Sequence, residues 1–173
     1  MPDKDLSPVD ARQLLHERKI TCHGYLRADG HFDIEGEMRD HKTYDFPSKL
    51  HGTVKAQTPY HHMRVRITIT EEMEVVKAEA VTLQGPYAIC PEAALNIRHL
   101  VGARIGPGWR RQVQKAIGGA QGCTHITELL GPMATTAFQT IFAEKAKRQR
   151  EEGTASTPQT ESLKNSCLAF AEA

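Results

Sequence analysis

Residues 61–85 read His61-His62-Met63-Arg64-Val65-Arg66-Ile67-Thr68-Ile69-Thr70-Glu71-Glu72-Met73-Glu74-Val75-Val76-Lys77-Ala78-Glu79-Ala80-Val81-Thr82-Leu83-Gln84-Gly85. Met63, Val65, Ile67 and Ile69 alternate with Arg64, Arg66, Thr68 and Thr70. A period of two sets alternate side chains on opposite faces of a strand. Glu71-Glu72 turns the chain and Val75 to Leu83 returns. The stretch therefore predicts a β-hairpin with one apolar face and one face that carries arginines.

The same period appears upstream. From Lys19, Ile20, Cys22, Gly24 and Leu26 share one parity, and Thr21, His23, Tyr25 and Arg27 the other. Ala28-Asp29-Gly30 is a tight-turn signal. The return strand sets Phe32, Ile34 and Met38 against Asp33, Glu35 and Glu37. Two hairpins make a four-stranded antiparallel sheet the minimum. Between them, Asp45, Pro47, Ser48, Gly52 and Pro59 mark a loop with room for a short strand at 50–55. Residues 1–18 read as a leader.

Downstream of Gln84-Gly85-Pro86 the period becomes helical. Pro91 suits a first helical position, Ala94, Ile97, Leu100 and Val101 form a stripe, and Gly102 ends it. Trp109, Val113 and Ile117 mark a second helix, closed by Gly118-Gly119. A third runs from about Thr124 to Arg150, with Leu129, Leu130, Met133, Ala137, Ile141 and Phe142 on one side; Gly131-Pro132 either kinks or divides it. Strands first and helices after is the α+β pattern. The expectation is one domain over 19–150, with helices packed on one sheet face and the arginine face left to water. Residues 151–173 read as a mostly disordered tail, in which Cys167 to Phe170 docks back on the domain.

Composition narrows the function classes. Lys and Arg total 22 and Asp and Glu 21, a formal charge of +1 in 173 residues. That balance speaks against nucleic acid or an anionic membrane as partner. No apolar run approaches the roughly 18 to 20 residues of a membrane span. The opening MPDKDLSPVD is neither a secretory signal nor a transit peptide, so a cytoplasmic location is expected. A small-molecule partner and a homo-oligomer remain compatible with the composition.

Four cysteines, at 22, 90, 123 and 167, do not make a disulfide framework in a reducing compartment. Cys90 precedes the proline that starts the first helix, and Cys123 lies in Gly122-Cys123-Thr124-His125 at the start of the third. Helix N-termini favour thiolate, the metal-binding form. His61 shares parity with Met63, Val65 and Ile67 and faces the helices, whereas His62 shares parity with Arg64 and faces away. The expectation is that His61, Cys90, Cys123 and His125 hold one zinc or iron ion. The competing reading makes Cys90 and Cys123 plain buried thiols and His125 a helix cap; Cys22 is read as core.

The segments Gly24-Tyr25-Leu26-Arg27-Ala28-Asp29-Gly30, Pro59-Tyr60-His61-His62-Met63-Arg64-Val65-Arg66 and Gly118 to Leu130 (GGAQGCTHITELL) resemble a bacterial family known as domain of unknown function 2889. The resemblance spans about residues 15 to 145 and implies no activity, beyond a loose association with catabolic genes. A second resemblance, over residues 61–145, is to the iron–sulfur cluster scaffold proteins. It implies a similar fold and site layout, with His61 in the place of one cysteine and Cys90, Cys123 and His125 completing the set. Two thiolates and two imidazoles suit one zinc or iron ion at least as well as a cluster.

Two functions follow. The first is a metal-dependent enzyme of lyase or hydrolase type acting on a small organic or aromatic catabolic compound, with Tyr87, Tyr60, Glu128 and Arg64 as candidate acid, base or anion clamp. The alternative is a non-enzymatic metal or iron–sulfur carrier, or an accessory protein with a closed structural site.

Overall fold

In a computed structural model describing residues 11–154 and 168–171, the two hairpins join into one antiparallel sheet of order β1-β2-β5-β6. The strands are β1 (His16–Leu26), β2 (Phe32–Lys42), β5 (His61–Ile69) and β6 (Val75–Gln84), with β3 (Phe46–Ser48) and β4 (Gly52–Val54) as a separate small hairpin. β1 begins at His16, ahead of the change of pattern at Lys19, so Glu17 and Arg18 belong to the sheet. Gly30 takes φ +83° at the first turn, a conformation that favours glycine. The 40–59 segment, expected as a loop with one short strand, holds two short strands paired with each other.

The helices α1 (Cys90–Leu95), α2 (Trp109–Ile117) and α3 (Thr124–Glu151) follow the sheet, with a 3-10 turn at Asn96–Leu100. They cover the face that Phe32, Ile34, Met38, Met63, Val65, Ile67 and Ile69 present, all buried. Arg64 and Arg66 lie on the exposed face. α3 approaches the sheet where glycine leaves room. A Cβ on Gly36 would lie 2.6 Å from Met133 Sδ, and one on Gly24 would overlap Thr140.

α3 runs through Gly131-Pro132 as one helix. Proline removes one ladder hydrogen bond, but Leu129, Leu130, Met133, Ala137 and Ile141 are all buried against the sheet and α2. The Trp109 indole also donates to the Leu130 carbonyl at 3.0 Å. Packing thus offsets the local cost. Of the expected tail, 155–167 and with it Cys167 lie outside the described residues; Leu168–Phe170 forms a 3-10 turn. Among the described residues no helix is long and apolar enough to cross a membrane.

Candidate metal centre

The inner face of the sheet changes chemistry at one end. Following Phe32, Ile34, Gly36 and Met38, the next inward position of β2 is Asp40. Strand register sets Arg18 of β1 opposite it on one side and His61 of β5 on the other. A row of guanidinium, carboxylate and imidazole therefore crosses three strands. The first turn of α3 lays His125 over this row, its ring stacked on that of His61 with centroids 3.7 Å apart and planes 26° apart.

Asp40 is 1% exposed. Arg18 donates to both its oxygens, Nε to Oδ1 and Nη2 to Oδ2, each at 2.7 Å. Asp40 Oδ2 lies 3.3 Å from His61 Nδ1 and 3.6 Å from His125 Nε2. Burial pushes the Asp40 carboxyl up, but Arg18 and the two imidazoles together outweigh it and hold the group below its ordinary range. Burial, reinforced by His125, carries His61 down to about 4. Burial also lowers His125, against the pull of Asp40. Both shifts favour the neutral imidazole, the form that binds metals.

His61 Nδ1 is buried and has no hydrogen-bond partner among the described residues; its 3.3 Å approach to Asp40 lacks hydrogen-bond alignment. Buried ring nitrogens are normally satisfied. Asp40, His61 and His125 each offer a ligand atom, and the three atoms lie within 4.8 Å of one another. Such a donor set can hold a metal ion.

The structure brings together His61 and His125 of the four residues read as ligands. Cys123 is close: its Sγ lies 3.8 Å from His125 Nδ1, the ring nitrogen not directed at Asp40. There it can hold the imidazole's tautomer and orientation from behind. Cys90 lies outside the group. The turn after β6 delivers α1 against the end of that strand, so Cys90 packs on Gly85 and its carbonyl accepts from Thr82.

Of the four candidate acid–base or clamp residues, Tyr60 lies edge-on to His61 at 5.0 Å and Glu128 pairs with Arg18. Tyr87 is largely exposed beside the start of α1, its carbonyl accepting from Cys90 N. Arg64 stands on the opposite face of the sheet, facing Glu37 across the strands. His62 is on that face too, 2.6 Å from Glu37.

Asp40 and Arg18 are the residues that sequence reasoning missed. Asp40 carried a signal, since it continues the apolar parity of Phe32, Ile34 and Met38. Arg18 likewise shares the parity of Ile20 and Cys22, but it lay inside the stretch read as a leader.

No curated protein and no solved structure matches the chain. The family model described as protein of unknown function (DUF2889) matches residues 16–139, which include every residue of the centre, and the chain belongs to that family.

Proposed function

We propose that Asp40, His61 and His125 hold one zinc or iron ion, and that the domain is a metal-dependent enzyme of lyase or hydrolase type acting on a small organic or aromatic compound. The observation that carries the metal is the buried, unpartnered Nδ1 of His61 beside a second imidazole and a carboxylate. Three protein ligands favour catalysis over a closed structural site, because they leave coordination positions for water or substrate. When bound, the ion would polarise a substrate oxygen or activate water. Tyr60, edge-on to His61, is the candidate for proton transfer. The alternative, a metal or iron–sulfur carrier with a closed site, draws support from the Cys123 thiol behind His125.

The test is elemental analysis of protein purified without added metal, with circular dichroism to check folding. About one zinc or iron per chain is expected, lost in Asp40→Asn, His61→Ala and His125→Ala and kept in His62→Ala. Folded wild type free of metal, or full metal content in His125→Ala, would overturn the assignment. Four protein ligands by X-ray absorption would shift the reading to the carrier.

A further inference from the structure

We propose that the open edge of the Arg18 guanidinium is the docking point for the carboxylate of a small organic acid, and that Glu128 occupies this point when no such acid is bound. A guanidinium presents five N–H donors in a planar fork. Asp40 takes the side bearing Nε and Nη2. The remaining edge, which includes Nη1, is suited to a second carboxylate in the two-pronged manner typical of arginine. Glu128 pairs with Nη1 there, so a carboxylate already marks the chemistry of the occupant.

Depth separates the two carboxylates. The Asp40 side chain is 2% exposed and belongs to the fold, whereas that of Glu128 is 56% exposed and that of Arg18 33%. An exposed ion pair holds its partners weakly, and Glu128 projects from the first turns of α3 with solvent into which it can swing. Arg18 is fixed by Asp40 whether or not Glu128 is present.

Charge points the same way. The Arg18 cation and the Asp40 anion cancel. With a divalent ion the centre would carry a formal charge of +2, which Glu128 offsets only in part. A substrate carboxylate can replace Glu128 at no loss of ion pairing. It would then lie beside Asp40 Oδ2, the oxygen directed at both imidazoles, and so hold the rest of the molecule against the candidate ion. The inference rests on the proposed metal site for the reaction, but the docking point itself needs only Arg18.

The test uses the full chain, once as purified and once after treatment with a chelator, with metal content measured in both. Acetate is titrated in, with acetamide as the uncharged control of the same shape, and the Nε–H resonance of Arg18 is followed by NMR. We expect acetate to shift that resonance, and acetamide not to. Glu128→Gln removes the competing charge while keeping the side chain's size, and should bind acetate roughly tenfold more tightly, as for two ligands that exclude each other. Arg18→Lys, followed by calorimetry, should lose the gain. Equal acetate affinity in wild type and Glu128→Gln, or an equal response to acetamide, would overturn the proposal. Acetate binding strengthened by Glu128→Gln in a protein that never holds metal would sustain the docking point while the metal assignment fails on the elemental analysis.

Discussion

The main support of a carboxylate as buried as Asp40 is Arg18, which grips both its oxygens. An ionised acid without such a partner is costly inside a protein. Arg18→Ala is therefore expected to destabilise the metal-free protein by roughly 2 kcal/mol, with Arg18 partly screened by solvent. Urea unfolding measures this, and the loss should shrink in Asp40→Asn, where no charge is left behind. Cys123 gives a second test at this scale. If it orients His125 from behind, Cys123→Ala should weaken metal binding about tenfold without abolishing it, as outer partners do. Competition with a chromogenic chelator reads this, and complete loss of metal would make Cys123 a ligand. The contrast shows what was legible in the sequence. Strand parity placed His61 inward and His62 outward, because a two-residue period fixes side-chain direction. Cys90 was assigned from its position before a helix, and nothing local specifies where a six-residue helix lands after a turn. Asp40 was passed over because its own strand reads as finished by Met38, although the same parity continues through it.

Among the elements, α3 joins the site to the core. Its first two turns carry His125 and Glu128, and its middle lies on Gly24 of β1 and Gly36 of β2. Gly36→Val would drive a side chain into Met133, so it should cost about 1–3 kcal/mol. Because Met133 anchors α3 near the site, the same variant should also hold less metal than wild type. A melting curve and a metal assay on one preparation test both, and an unchanged melting temperature would show that α3 has freedom to move away. The two hairpins were legible from their alternation and turn residues. The continuity of α3 was not, since a proline in a helix interior costs about 3 kcal/mol by propensity alone. It is the burial of side chains such as Leu129, Leu130 and Met133, each contributing roughly 1.5–3 kcal/mol, that decides the outcome, and those contacts are long-range.

At the scale of the whole molecule, α3 is also tied at its far end. Arg148 Nη2 lies 2.7 Å and Lys145 Nζ 3.2 Å from Glu71 Oε1 in the turn between β5 and β6, so one helix clamps the sheet at both its site end and its turn end. The Arg148 hydrogen bond, opposed by partial burial and helped by Lys145, holds the Glu71 carboxyl below its ordinary value. A carboxyl with a depressed folded pKa binds fewer protons in the native state than in the unfolded one. Its contribution is therefore complete above the unfolded value of about 4.3, and it is lost as pH falls through the lower folded value. Glu71→Gln should accordingly destabilise the protein at pH 7 by about 0.5 kcal/mol or less, the range of a pair this open to solvent. The difference from wild type should close as the pH is taken well below 4 and diminish in high salt, because the pair is screened. Denaturant midpoints of the two proteins at pH 7 and near pH 3 measure it. A deficit that persists unchanged at low pH would mean that the glutamate acts through packing of its aliphatic stem instead of its charge. Metal content should be equal in the two proteins throughout, since Glu71 lies at the opposite end of α3 from His125.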